Sequence, residues 1–107
     1  MATLMRWKYG NGFDPSEFST NISFSVNTEL TTEQKDLFIS ATATAASKSL
    51  TLGLDDGQFM IIANIGGSNA FTAKNLSTDS GTSIAAGKVA LVIGSKTANG
   101  TKIYVLN

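Results

Sequence analysis

Residues 50–75 read LTLGLDDGQFMIIANIGGSNAFTAKN, and this stretch decides the fold class because short apolar runs alternate with turn residues. Leucines alternate through residues 50–54 and stop at 55–57, an Asp-Asp-Gly sequence with the composition of a hairpin turn. The continuous apolar run 59–63 has the length of a strand and predicts a central strand that is buried on both faces. Glycine and serine at 66–69 end this run. The stretch therefore predicts consecutive β-strands joined by short turns.

Residues upstream of this stretch show the same period of two. Residues 21–27 are typical of a half-buried strand, with one apolar face made of Ile22, Phe24 and Val26. In residues 39–45, apolar residues again alternate with serine and threonine. Alanine is a poor strand former, and Thr31 with Gln34 can form a capping box, so a helix over 32–46 competes with this second strand. The alternating threonines favour the strand.

Residues downstream complete the predicted sheet structure. Residues 82–85 predict a brief strand, and 88–93 form a second buried run. The positions predicted to face inward in that run are Val89, Leu91 and Ile93. An Asn-Gly turn at 99–100 leads into a last strand at 103–106. The pattern predicts an all-β protein of about seven or eight strands, arranged as a small β-sandwich, a jelly-roll-like domain or a small barrel.

The N-terminal residues differ in composition from the rest of the chain. Residues 1–19 hold the single tryptophan, the single arginine and the single proline, and they predict an irregular arm ahead of one β-domain at 20–107. Tryptophan, tyrosine and arginine are the side chains that most often anchor protein interfaces. The predicted partner-contact residues are Arg6, Trp7, Tyr9 and Phe13. The alternative is that the arm folds back over its own core with Trp7 as a lid.

Composition excludes several classes of function. The 107 residues carry eight basic and eight acidic side chains, so no net field attracts nucleic acid or an anionic membrane. The chain has no cysteine and no histidine, which removes disulfides, thiolate chemistry and the usual general base and metal ligand. No apolar segment approaches the ~18 residues of a membrane span. We therefore predict no enzyme activity, no cofactor and no metal.

Two motifs invite a chemical interpretation that their spacing does not support. Residues 81–88 resemble a phosphate-binding loop, but five residues separate the glycines and Val89 follows the lysine where serine or threonine is required. The adjacent carboxylates Asp55 and Asp56 point to opposite faces if they lie on a strand. A turn role is the simpler interpretation of both motifs.

Residues 58–75, followed by Ala85-Ala86-Gly87-Lys88 and the apolar strand at 89–94, resemble bacteriophage virion proteins of the fibre and capsid-decoration type. In those proteins an F-x-I-x-N-x-G run leads to F-T-V-K-N and then to A-A-G-K. The resemblance covers about half of the chain and implies consecutive strands of a β-sandwich or jelly roll. It also implies a structural role, often as a homotrimer or in contact with capsid subunits.

The resemblance and the composition lead to one functional expectation. The chain is short and has no shaft repeats, so a capsid decoration protein fits better than a fibre. We expect a homo-oligomer, with a trimer favoured, that is made in the host cytoplasm and binds the major capsid protein on the outside of the virion. The alternative is a fibre, receptor-binding or carbohydrate-binding β-module, in which Trp7 and Tyr9 stack on sugar rings.

Overall fold

The computed structural model describes residues 19–106. These residues form nine β-strands and one short 3-10 turn at Thr32–Gln34. The strands are β1 (Ser19–Phe24), β2 (Thr28–Glu29), β3 (Phe38–Ala43), β4 (Lys48–Thr51), β5 (Phe59–Asn64), β6 (Phe71–Lys74), β7 (Thr82–Ile84), β8 (Val89–Ile93) and β9 (Lys102–Leu106). The prediction of an all-β fold with two packed sheets is thereby confirmed.

The strands form a five-stranded sheet in the order β1-β3-β5-β8-β9 and a four-stranded sheet in the order β2-β4-β6-β7. The first six strands alternate between the two sheets. Strands β3 to β6 each pair in parallel with the strand two places earlier in the chain. The chain then reverses, so β7, β8 and β9 pair antiparallel with their neighbours. The architecture is a sandwich whose first part is wound from three parallel coils, whereas a jelly roll is antiparallel throughout.

The core lies between the two sheets and takes every second residue of each central strand. Alternation places the inward side chains of β3, β5 and β8 opposite those of β4, β6 and β7. The largest fully buried apolar side chains are Phe71, Ile39, Leu50, Leu52, Leu54, Met60, Ile62, Ile84 and Val92. Phe24 from β1 meets Phe71 edge to face, with ring centroids 5.5 Å apart, which is a favourable aromatic geometry.

The competing helix over 32–46 does not form. Only residues 32–34 are helical, where the backbone N–H of Thr31 donates a hydrogen bond to Gln34 Oε1 at 2.9 Å. Residues 38–43 are strand β3, and both of its inward alanines, Ala41 and Ala43, are buried. The threonines face outward, where their branched side chains suit a pleated surface.

One predicted orientation is wrong. Val89, Leu91 and Ile93 face outward, and Ala90 and Val92 fill the core. Pairing with β5 sets this register, because Ala90 lies opposite Ile62 and Val92 opposite Met60. Those two β5 residues face inward together with Asn64, because positions two apart share a face.

Strand β5 is also not buried on both faces, since Phe59 is exposed and Ile61 is half-buried. Val26 lies beyond the end of β1 and is exposed as well.

Two buried asparagines hold the crossings between the sheets. The Asn64 amide nitrogen donates to the carbonyls of Asn69 at 2.8 Å and Ile84 at 2.9 Å. The Asn75 amide nitrogen donates to the carbonyls of Leu54 at 3.0 Å and Ser95 at 2.8 Å. Each side chain therefore supplies hydrogen bonds to backbone groups at the ends of strands. Buried backbone groups need such partners where no neighbouring strand provides them.

Candidate docking surface

The outer face of the five-stranded sheet carries an apolar surface. It consists of the outward side chains of β5, β8 and β9 together with one residue of β3. We call it the apolar face, and its members are Phe38, Phe59, Ile61, Ala63, Val89, Leu91, Ile93, Tyr104 and Leu106. On a strand these positions recur at every second residue, so the same alternation that builds the core also builds this face.

Strand register aligns these side chains in rows across the sheet. In the first row, Phe38 pairs with Ile61, Ile61 with Leu91, and Leu91 with Tyr104. Two further rows run parallel to it: Phe59 with Ile93, and Ala63 with Val89 and Leu106. Paired side chains on neighbouring strands lie ~5 Å apart. The nine residues therefore form one contiguous surface rather than scattered apolar positions.

Exposure on this surface is high for large apolar side chains. The exposed fractions are 43% for Phe59, 43% for Ile93, 56% for Tyr104 and 45% for Leu106. Three strands of five residues span roughly 14 Å by 17 Å, or about 250 Å² of sheet. This area lies just below the about 300–600 Å² of the largest apolar patches that typical monomers expose, which often mark binding sites.

The borders of the apolar face are polar. Toward β1 the outward positions become Asn21 and Ser23, and on the adjacent β3 they become Ser40 and Thr42. At the opposite edge, Lys102 on β9 lies opposite Ile93. An apolar centre with a polar rim is the usual anatomy of a protein–protein interface.

The outer face of the four-stranded sheet has a different chemistry. Ser49, Thr72 and Ser83 lie side by side on β4, β6 and β7. They contribute to a cleft of about 610 Å³ that is also lined by Asn27, Ala46, Ser47, Lys48, Ser68, Asn69, Ala70 and Phe71. Phe71 belongs to the core and is only 2% exposed. The cleft therefore presents hydroxyl and amide groups without an exposed ring. The two outer faces of the sandwich differ sharply in polarity.

The predicted contact residues Arg6, Trp7, Tyr9 and Phe13 lie outside the described residues 19–106. Strand β1 starts at Ser19, which pairs with Phe38 in the first row of the apolar face.

The other motifs have structural roles. Gly81 and Gly87, which suggested a phosphate loop, both have positive φ, at 75° and 83°. They flank β7 and the crossing to β8, and no helix follows them. Asp56 accepts a hydrogen bond from the backbone N–H of Lys96 at 2.6 Å. Asp55 forms an exposed ion pair with Lys96 at 3.3 Å. Both carboxylates therefore act in turns.

Within residues 19–106, no three histidine, cysteine, aspartate or glutamate side chains come close enough to hold a metal ion. No helix in that part of the chain is long and apolar enough to cross a membrane. A scan against protein-family models finds no match, and searches of curated proteins and of solved structures also find none.

Sequence reasoning missed the apolar face because it assigned both apolar runs to the interior. A signal was nevertheless present: 59–63 and 89–93 are apolar at odd and even positions alike. In the two-sheet sandwich that residues 19–106 form, only the odd or the even positions of a strand can face the core. The apolar side chains at the remaining positions must then face outward, where they are available to a partner.

Proposed function

We propose that this protein is a structural component of a virion, a capsid decoration protein that attaches through the apolar face. The observation that carries the proposal is the three-row apolar surface across β5, β8 and β9. A surface of this kind suits a protein that binds a neighbouring subunit by burying apolar surface against it. The likeness of residues 58–94 to phage virion proteins points to the major capsid protein as that neighbour.

The size of the apolar face indicates how attachment works. About 250 Å² of apolar surface, at about 25 cal/mol per Å², gives roughly 6 kcal/mol of gross stabilisation. Association costs about 4–15 kcal/mol in lost translational and rotational freedom. A single copy would therefore bind weakly through this face alone. Several linked copies on a symmetric shell bind far more tightly, because each later contact is intramolecular. This supports the proposal of a homo-oligomer, and the resemblance to phage virion proteins favours a trimer.

Capsids prepared without this protein provide the test. We expect Tyr104→Lys to reduce occupancy on such capsids strongly, because it places a charge in the first row of the apolar face. Thr72→Lys is the matched control, because it adds the same charge to the outer face of the other sheet. If Tyr104→Lys decorates at full occupancy while remaining folded, the apolar face is not the attachment surface.

The N-terminal arm is the second element of the proposal. We expect deletion of residues 1–13 to leave a folded β-domain that no longer binds capsids, because the remaining surface is smaller than the ~800 Å² per partner of a standard interface. Circular dichroism checks the fold, and co-sedimentation with capsids measures occupancy. Full decoration by the truncated protein would remove the arm from the proposal.

The cleft on the four-stranded sheet favours a second candidate, a carbohydrate-binding β-module. Its volume of about 610 Å³ and its serine, threonine and asparagine lining could hold a sugar by hydrogen bonds. Sugar sites usually add an exposed aromatic ring, and Phe71 is buried here. A glycan array without hits at millimolar sugar would eliminate this candidate.

A further inference from the structure

Strand β9 ends the five-stranded sheet, and no strand among residues 19–106 pairs with its outer edge. We propose that β9 pairs antiparallel with β9 of a second copy of this chain, so that the two five-stranded sheets join into one continuous sheet. A twofold axis then passes between the Tyr104 residues of the two copies. This inference goes beyond the proposed function, because it concerns a contact between copies and needs no capsid.

Hydrogen bonds at the two ends of β8 show which of its backbone groups face β5. Just before the strand, the carbonyl of Lys88 accepts from the N–H of Asn64 at 2.9 Å; just after it, the N–H of Gly94 donates to the carbonyl of Gln58 at 2.8 Å. Both positions on the β8 side are even-numbered, and the backbone groups of alternate residues on a strand point to the same side. The even-numbered residues of β8 therefore bond to β5, and the odd-numbered residues bond to β9.

The register then determines which backbone groups of β9 are left for another strand. Leu91 lies opposite Tyr104, so Tyr104 and the residues two positions away exchange hydrogen bonds with β8. The N–H and C=O groups of Ile103 and Val105 point to the outer edge. A second, antiparallel β9 centred on Tyr104 places its Val105 opposite Ile103 and its Ile103 opposite Val105. Each of these two pairs exchanges two hydrogen bonds, and all five residues of β9 lie opposite a residue of the other copy.

The outward side chains fit this register. Tyr104 lies opposite Tyr104 of the second copy, so the row formed by Ile61, Leu91 and Tyr104 continues across the twofold axis. The apolar face thereby doubles to about 500 Å². Lys102 lies opposite Leu106, and the two lysines are separated by roughly 14 Å along the strands. Parallel pairing would instead place the lysines side by side, where like charges repel each other.

The inward side chains of β9 also gain from a second strand. Ile103 and Val105 pack against the core but are only half-buried, whereas Ala90 and Val92 of the neighbouring strand are 0% exposed. The four-stranded sheet has one strand fewer than the five-stranded sheet, and a cleft of about 200 Å³ is lined by Ile103 and by Thr82 of β7. A second β9 brings a further valine or isoleucine beside each of these side chains and extends the inner layer.

The other sheet edges in the described part of the chain suit self-pairing less well. Strand β2 has two residues and β7 has three, and short edge strands offer few groups for pairing. Strand β1 presents Asn21 and Ser23 on its outer face. Strand β9 is five residues long, contains no proline and carries a single charge, at Lys102. It therefore lacks most of the devices by which proteins protect an edge strand.

A single introduced cysteine can report this pairing, because the chain has none of its own. Tyr104→Cys is expected to form a disulfide-linked dimer on mild oxidation, since opposite residues at a non-hydrogen-bonded position have Cα atoms about 4.5 Å apart, within the range for disulfides. Ile93→Cys is the matched control. It is on the same apolar face and is 43% exposed, but it lies on β8, inside the sheet. Equal disulfide yields at 104 and 93 would indicate stacking of the two faces and would overturn the strand pairing.

A mixture of two variants tests the orientation. Lys102→Cys and Leu106→Cys are expected to form disulfides with each other, because antiparallel pairing places these positions opposite each other. Each variant alone is expected to remain largely unlinked. Disulfides between two copies of Lys102→Cys would indicate parallel pairing and would contradict the twofold axis.

Analytical ultracentrifugation of the full chain without capsids measures the dissociation constant of the dimer. Val105→Pro removes an N–H that faces away from β8, a position where a strand tolerates proline. Since one hydrogen bond is lost from each copy, the dissociation constant is expected to rise at least about tenfold. Val105→Thr keeps the N–H and the β-branched shape and is the matched control, with an expected change of less than about threefold. Circular dichroism checks the fold, and the cysteine variants decide the question if the proline variant does not fold.

Three results of ultracentrifugation would overturn the pairing: a monomer at millimolar concentration, a trimer as the smallest assembly, or equal dissociation constants for the proline and threonine variants. A trimer would agree with the resemblance to phage virion proteins and would place the contact between copies elsewhere. None of these results bears on the decoration function, which is judged by the occupancy of Tyr104→Lys on capsids.

Discussion

Replacement of Asn75 by alanine tests how the crossings between the sheets are held. This side chain is 1% exposed and lies just after β6, at the start of the loop to β7, where it contacts the crossing from β4 to β5 at Leu54. It makes three hydrogen bonds with backbone: its Oδ1 accepts from the N–H of Leu54, and its amide nitrogen donates to the carbonyls of Leu54 and Ser95. Asn75→Ala removes all three and leaves their partners unsatisfied.

The expected loss follows from those partners. A neutral hydrogen bond contributes about 0.5–1.5 kcal/mol net, and a buried group that loses its partner costs about 1–3 kcal/mol. For the bonds of Asn75 we expect the free energy of unfolding to fall by about 3–5 kcal/mol, against a total of about 5–15 kcal/mol for a domain. At about 4–8 °C per kcal/mol, Tm falls by at least about 12 °C.

Urea titration and thermal unfolding followed by circular dichroism measure this loss. Asn21→Ala is the matched control, because Asn21 faces outward on β1 and is exposed; its expected change is within about 0.5 kcal/mol. Asn75→Asp keeps an acceptor for Leu54 but replaces the donor with an oxygen that faces two carbonyls. If Asn75→Asp matches the unaltered protein in stability, or if Asn75→Ala loses less than about 1 kcal/mol, the asparagine does not hold the crossing.

Three further substitutions probe the core, a close backbone approach and the surface. Leu50→Ala empties a site that is 0% exposed and is expected to lower the free energy of unfolding by about 2–5 kcal/mol; a loss below about 1 kcal/mol would contradict tight packing there. Gly94→Ala places a Cβ 2.5 Å from Leu54 Cβ and 2.7 Å from the Asp55 carbonyl, so we expect a loss of about 1–3 kcal/mol in urea unfolding, and unchanged stability would mean that the backbone shifts freely. Lys96→Ala breaks an ion pair whose side chains are 58% and 79% exposed, so the free energy of unfolding should change by less than about 0.5 kcal/mol; a larger change would show that the pair is part of a wider network.

The sequence predicted inward and outward positions correctly in β3 and β6, where the residues of one face are polar. Ile39, Ala41 and Ala43 alternate with serine and threonine, and all three are buried. The same holds for Phe71 and Ala73 of β6. The prediction is wrong at 89–93, where odd and even positions are both apolar. There the bulkier side chains, Val89, Leu91 and Ile93, were predicted to face the core. The register there is set by pairing with β5, which sequence periodicity cannot specify.

Strand direction was a second feature beyond the reach of the pattern. A period of two describes a strand equally well in parallel and antiparallel sheets. The parallel coils arise because each crossing sends the chain to the opposite sheet, and the buried amide of Asn64 helps to hold the crossing from β5 to β6 through the carbonyl of Asn69. A second hydrogen bond of the Asn64 amide joins two residues that are far apart in the chain, Asn64 and Ile84. No local sequence pattern predicts such a bond.

The winding of the chain has a consequence for its synthesis. The parallel coils can assemble in order as they leave the ribosome, since each strand pairs with one that has already been made. The edge of β5 is different, because its partner β8 lies beyond the reversal of the chain. At about 5–20 residues per second, the interval from Asn64 to Leu106 lasts roughly 2–8 s. For that time the nascent chain exposes an apolar edge that can recruit a neighbouring nascent chain, so slow translation of the last strands favours aggregation and fast translation favours the native fold.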